Sequence, residues 1–253
     1  MTHLKPRVLR YESLPSTNTE LSRLASEGAE EGVSVVADEQ TAGRGRLQRA
    51  WSSPKGAGLY FSILLRPKIP TNYWPLITMM AAVAVYDTLG EACRLQADIK
   101  WPNDLLSGER KICGILAEAI DTPGGRAVIV GIGVNLTEDA YPTEIANIAT
   151  SVSEAMGRSA DREAILASLL RWVAHWYVLL NEPAGAESIV NAWSNRSSYA
   201  FGRLVQVSNG DEVWKGTTSG IERDGALRLC LANGEIKLVR AGDVHSVRPA
   251  KDI

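Results

Sequence analysis

Apolar residues along the chain follow two rhythms, one continuous or of period two and one near 3.6. Residues 33–40 (VSVVADEQ) and 58–67 (GLYFSILLRP) are short, β-branched or apolar runs, the second stopped by Pro67, and both predict buried strands. A brief strand is predicted at 97–102 (ADIKWP), ended by Pro102. The runs 111–120 (KICGILAEAI) and 127–136 (AVIVGIGVNL) flank DTPGG and predict a hairpin. Helical spacing governs 17–28, with Thr17 or Asn18 as cap and Gly28 as stop, and also 75–92. It returns over 161–182, where Ile165, Leu169, Trp172, Val173 and Trp176 share a face. Near residue 197 the texture changes to short alternating runs broken at Asn209-Gly210, Asp224-Gly225 and Asn233-Gly234. That pattern predicts a small antiparallel β-barrel of SH3-like size, and a boundary between 1–197 and 198–253.

Composition narrows the classes. A chain of 253 residues with 45% hydrophobic and 22% charged residues has material for a sizeable core. The formal net charge of -2 argues against a general nucleic-acid or anionic-membrane surface, though not against a local basic site. Three widely spaced cysteines, Cys93, Cys113 and Cys230, predict reduced thiols and a cytoplasmic protein. The stretch 74–90 (WPLITMMAAVAVYDTLG) is short and carries Asp87, which predicts a core helix and no membrane span.

Familiar nucleotide and hydrolase signatures are absent. No G-x-x-x-x-G-K-[ST] or G-x-S-x-G occurs, GIGVNL (131–136) lacks the third Rossmann glycine, and His3, His175 and His245 lack metal-ligand spacing. Four other segments carry candidate chemistry. In TAGRGRLQRAW (41–51), Gly43 and Gly45 let backbone N–H groups face an anion, and Arg44, Arg46 and Arg49 add forked cations. A solvated basic loop explains the same residues. In KWPNDLL (100–106), Asn103 and Asp104 stand at a strand end, where Asp104 can hold Mg²⁺; an ordinary Asn-Asp turn is the alternative. In RKICGILAE (110–118), Lys111 stands at a strand mouth, either stabilising an anion or simply solvated, and the mid-strand Gly114 signals a close approach. Ser16, Thr17 and Asn18 either cap a helix or face a polar ligand.

In this order, STN (16–18), EQTAGRGRLQRAW (39–51), KWPNDLL, RKICGILAE, GIGVNL and GI..DGAL (220–227) resemble the biotin–protein ligases over nearly the whole chain. The resemblance implies an α+β fold: a mixed-sheet, class II synthetase-like catalytic domain followed by the SH3-like barrel. It implies activation of biotin with MgATP to biotinyl-5′-AMP, release of pyrophosphate, and transfer to one lysine of a biotin carboxyl carrier protein. Ser16, Thr17, Asn18, Gln40, Arg44, Gly45, Arg46, Lys111, Gly114 and Leu116 match biotin-side positions, with Lys111, Arg44 and Arg46 as the catalytic cations. Arg46, Trp51, Asn103 and Asn135 match the ATP side, and Asp104 the metal. About a dozen residues precede the Ser16 block, which predicts the monofunctional form with no DNA partner. The family also suggests a weak homodimer. Many members have glycine where Gln48 stands, which predicts a less permissive loop. A lipoate ligase or octanoyltransferase, a non-catalytic ligand-binding module and an RNA-binding barrel (Arg203, Lys215, Arg223, Arg228, Lys237, Arg240, Arg248, Lys251) are the rival readings.

Overall fold

Seven strands form one mixed sheet: β1 (Arg7–Leu14), β2 (Val33–Gln40), β3 (Gly58–Leu65), β4 (Asp98–Lys100), β5 (Asp104–Ser107), β6 (Arg110–Thr122) and β7 (Gly125–Asn135). These positions come from a computed structural model that describes residues 4–246, so His3, Arg248 and Lys251 lie outside the described residues. The order is β1-β2-β3-β7-β6-β5-β4; β1 and β2 run parallel and the remaining neighbours antiparallel. The DTPGG turn closes the β6–β7 hairpin at the Thr122–Gly125 pair, where Gly125 takes φ +94.

Five helices complete this part: α1 (Thr17–Ser26), α2 (Pro75–Cys93), α3 (Val152–Met156), α4 (Arg162–Leu180) and α5 (Gly185–Ser194). The two-residue period of the strands sorts the sheet into two faces. On one face Val35, Leu64, Ala127 and Ile129 pack against Leu21 and Ala25 of α1. On the other, Phe61, Ile63, Val128, Val130 and Ile132 meet α2 and α4, and α5 packs against those two helices. Helix α2 is apolar all round because sheet and helices surround it, so the 74–90 stretch is a core helix here. Helix α4 starts at Asp161, whose side chain accepts the Ala164 N–H at 3.0 Å, and it buries Ile165, Leu169, Val173, Trp176 and Leu180. Asp87 of α2 is satisfied by Trp176 Nε1 at 2.8 Å and Arg196 Nε at 3.0 Å, which explains a carboxylate in so apolar a helix.

The C-terminal residues form a five-stranded antiparallel sheet of β8 (Phe201–Asn209), β9 (Glu212–Ile221), β10 (Leu227–Leu231), β11 (Ile236–Val239) and β12 (Asp243–Ser246), ordered β11-β10-β9-β8-β12. Gly210, Gly225 and Gly234 each take positive φ in the turns between its consecutive strands. Val205, Val207, Leu227, Leu229, Val239 and Val244 belong to the same apolar cluster as α2 and the large sheet. The link between the two sheets also covers the β4 edge: Ile99 N–H donates to Arg196 O at 3.1 Å and Ser197 Oγ to Ile99 O at 2.5 Å.

Candidate active site

Where α1 stops covering its face of the large sheet, the strands carry glycine in place of side chains. Gly131 and Gly133 of β7 share that face with Ile129, and Gly114 of β6 pairs with Gly133. A Cβ on Gly133 would lie 2.6 Å from Trp51 Nε1, and one on Gly114 2.9 Å from Trp51 Cζ3. A Cβ on Gly131 would overlap Asn18 Oδ1. The close approach predicted at Gly114 is therefore made by an indole of the same chain. Trp51 lies flat on a glycine floor, and its buried Nε1 has no hydrogen-bond partner.

The start of α1 overturns the capping reading. Ser16 is the N-cap, yet no side chain at 16–18 caps the helix. Instead Gln40 Oε1, at the end of β2, accepts the Thr17 N–H at 2.8 Å and Thr17 Oγ at 3.1 Å. Gln40 Nε2 donates to Ser53 Oγ at 2.9 Å. Ser62 Oγ lies 2.7 Å from Thr17 Oγ and 2.6 Å from Asn18 Oδ1, and Asn18 Nδ2 donates to Glu118 Oε2 at 2.6 Å and Leu116 O at 3.4 Å. Ser16, Thr17 and Asn18 are buried. This is a preorganised polar wall; Ser53 and Ser62 lie outside every quoted motif, and Glu118, the last residue of RKICGILAE, had no role assigned from sequence.

Lys111 reaches the same space because of a bulge. Leu105 pairs with Cys113 and Leu106 with Lys111, so Ile112 is an extra residue in β6. Strict alternation would send Lys111 to the α2 face with Cys113; the bulge sends it to the glycine face while Ile112 enters the core. Its Nζ lies 2.6 Å from Asp104 Oδ1 and 5.2 Å from the Trp51 ring centroid. The Asp104 contact is a close charge pair without hydrogen-bond alignment, since Oδ1 accepts no aligned donor. Neighbouring Cys113 is fully enclosed, and burial pushes its thiol up, away from reactivity.

The basic loop is a small hairpin across the mouth. Arg44 bridges to Ala50, Gly45 N–H donates to Arg49 O at 2.7 Å, and Trp51 N–H to Gly43 O at 2.9 Å. The Gly45 N–H is thus used within the loop, a correction to the expectation that it faces an anion. Gly43 is required by space, since a Cβ there would overlap Trp51 O. The left-handed positions are Leu47 (φ 54) and Gln48 (φ 58), which places the family's common glycine position where glycine is easiest. Arg44 Nη2 meets Glu118 at 3.4 Å. Arg46 Nη1 donates to Asn103 Oδ1 at 3.1 Å, while Asn103 Nδ2 donates to Ile115 O at 2.8 Å. Asn103 is therefore a buried brace between the loop and β6, not a free turn.

A segment unmarked by any motif, residues 138–150, forms the far wall. Lys111 N–H donates to Ile148 O at 2.8 Å, Thr150 N–H to Lys111 O at 2.9 Å, and Asn135 Nδ2 to Thr150 O at 2.9 Å. Glu154 secures it through Arg110 at 2.6 Å, Tyr141 Oη at 2.9 Å and Thr150 Oγ at 2.9 Å. Burial alone raises the Glu154 carboxyl, but these partners outweigh it and hold it below the usual range.

These walls enclose a cavity of about 610 Å³. Ser16, Thr17, Asn18, Gln40, Arg44, Gly45, Arg46, Trp51, Asn103, Asp104, Lys111, Gly114, Leu116 and Asn135 all line it, so every sequence-predicted site residue meets in one place. Asp243 of the C-terminal sheet lines it too, with no sequence signal beforehand. Among the described residues no group of three His, Cys, Asp or Glu side chains is set to hold a metal ion. Asp104 faces the Lys111 ammonium, so the residues present do not form a metal site of their own.

Residues 11–135 match the Biotin/lipoate A/B protein ligase family. The chain is 38% identical over 245 residues to the Bacillus subtilis bifunctional ligase/repressor BirA, covering 94% of this chain and 73% of that protein. It is 39% identical over 222 residues to the biotin–[acetyl-CoA-carboxylase] ligase of Paracoccus denitrificans, covering 85% and 90%. Its fold is similar to that of the Aquifex aeolicus biotin protein ligase in complex with biotin and ATP, with TM-score 0.82 and 30% identity over 96% of this chain and 99% of that one.

Proposed function

The chain belongs to the biotin–protein ligases of the Biotin/lipoate A/B protein ligase family, and from that premise we propose that it joins biotin to a carboxylase carrier protein at the expense of ATP. The observation that carries this reading is the convergence of Lys111, Arg44 and Arg46 with the Ser16–Asn18 wall and the Trp51 floor around one cavity.

In the first step a biotin carboxylate oxygen attacks the α-phosphorus of ATP, the bond to the β-phosphate oxygen breaks, and pyrophosphate leaves. Two anions must be brought together, so fixed cations are the need. Lys111, braced by Asp104 and Trp51, lines the same cavity as the polar wall and the arginine hairpin, where it can neutralise both carboxylate and α-phosphate. Arg46, held by Asn103, belongs to the nucleotide side, with Trp51 and Asn135. The apolar part of the cavity suits a bicyclic ring and an alkyl chain. Mg²⁺ would arrive on the nucleotide phosphates, and no step is assigned to it. In the second step the carrier lysine amine attacks the acyl carbon, the bond to the AMP oxygen breaks, and the amine loses its proton. Glycines and arginines that close over the mixed anhydride protect it from water.

Residues 1–197 then form the class II synthetase-like catalytic unit. The antiparallel strand order supports reading 198–253 as the SH3-like barrel. A cytoplasmic setting agrees with free Cys93, Cys113 and Cys230. The deciding experiment is exchange of labelled pyrophosphate into ATP with biotin, lipoate and octanoate in parallel. Exchange with biotin is expected; exchange with lipoate or octanoate in its place would overturn the assignment.

A further inference from the structure

Three arginines in a hairpin of six or so residues repel one another unless carboxylates hold them apart, and two carboxylates do so here. Arg44 meets Glu118 on the large sheet. Arg46 and Arg49 turn the other way, onto the first residue of β12. Asp243 Oδ2 pairs with Arg49 Nη2, and Oδ1 lies 3.6 Å from Arg46 Nη1. The preceding carbonyl, Gly242 O, accepts from both Arg46 Nη1 and Nη2 at 3.3 Å. That carbonyl is aimed by a special backbone: Gly242 takes φ +143, and a Cβ there would lie 2.7 Å from Ser208 O. The Asp243 side chain is only 18% exposed, against 66% for Arg49.

We propose that Asp243 is a positioning residue of the adenylation site, and that through it the C-terminal sheet sets the hairpin that carries Arg44 and Arg46. The contact lengths divide the labour. Arg49 holds the short pair and acts as the anchor. Arg46 holds the longer one, so it keeps an edge for an incoming phosphate while staying oriented by Asn103 and Gly242 O. Asp243 touches neither reacting atom in this scheme; it acts by fixing the guanidinium that does. The inference rests on the ligase reading for its kinetic part only.

The test uses the full chain with Asp243→Asn, Asp243→Glu and Arg49→Gln. Hydrogen exchange of the Gly45 and Trp51 amides in ligand-free protein reads the clasp without any activity. Asp243→Asn should speed it about tenfold, as expected for losing charge-assisted bonds. Arg49→Gln should do nearly the same, the double variant little more, and Asp243→Glu should stay near wild type. In pyrophosphate exchange, Asp243→Asn should raise KM for ATP about tenfold and KM for biotin less, with Asp243→Glu restoring both. Unchanged loop exchange in Asp243→Asn overturns the proposal. So does loosening spread evenly over the C-terminal sheet, which would make Asp243 merely structural, or an unchanged KM for ATP beside a loosened loop. Absence of biotin-dependent exchange in the wild type would sink the ligase reading, while the hydrogen-exchange arm would still decide the clasp.

Discussion

At the scale of single residues, Lys111 and Gln48 carry the sharpest expectations. Lys111→Ala removes the cation where two anions meet and leaves the Asp104 carboxylate facing them. Adenylate formation should fall by roughly a hundred- to a thousandfold, read by pyrophosphate exchange. Lys111→Ala with Asp104→Ala should recover stability without recovering rate, because the lost charge is the catalytic part. Gln48 adopts φ 58 beside Leu47 at φ 54, a region costing non-glycine residues about 1–2 kcal/mol. Gln48→Gly should therefore increase protection of the Gly45 and Trp51 amides, and β-branched Gln48→Val should decrease it; equal protection in all three would show that the tip conformation carries no strain. The presence of Arg44, Arg46, Lys111 and Asn103 was legible from residue type and order. The carboxylates that hold the arginines were not, because Glu118 and Asp243 are lone carboxylates in strand sequence that acquire meaning only through a fold contact.

At the scale of elements, patterning located strands with strong apolar content and missed those without it. β2, β3 and β7 read clearly because they cross the middle of the sheet and are largely buried, and β6 because its apolar run Ile112–Ala117 is unbroken by a charge. β1 is a half-exposed edge strand and β5 has four residues, so neither shows a usable period. Helix α5 does carry one, with Ile189 and Trp193 buried four apart, outside the segments assigned from sequence. The glycines of GIGVNL were legible as a failed nucleotide fingerprint and as part of the ligase resemblance, with no role of their own. Their role is to let Asn18 and Trp51 approach β7. Gly131→Ala should consequently displace Asn18 and weaken biotin binding at least about tenfold, since a buried polar network is broken. Calorimetric titration checks this, and an unchanged affinity would remove Asn18 from the ligand wall. The Ile112 bulge could not be read from sequence, because the run Ile112–Ala117 that follows Lys111 is apolar without alternation and sets no register.

At the scale of the whole molecule, the two sheets meet around Lys100. Burial pushes its ammonium down from the ordinary lysine range, with Asp104 opposing, and Lys111, Asp243 and Arg203 also acting on it. Below the lowered folded value both folded and unfolded chains carry this charge, and the folded state bears the desolvation cost. As pH rises through the lowered folded value, the native state loses its proton first, so stability climbs until the unfolded lysine, at about 10.4, deprotonates as well. Lys100→Met should flatten that alkaline rise in denaturant midpoints measured from neutral to high pH. A rise of unchanged size would place the titration elsewhere.

The apolar cluster that runs from α2 through Leu227, Leu229 and Val244 has a thermal consequence. Sequence texture divides the chain near residue 197, but heat does not see that line. Each side would expose part of a common interior on melting alone, so the favourable path is to melt together. A scanning calorimeter then records one endotherm with matching calorimetric and van't Hoff enthalpies, and the small sheet behaves as a limb of the larger body rather than its passenger.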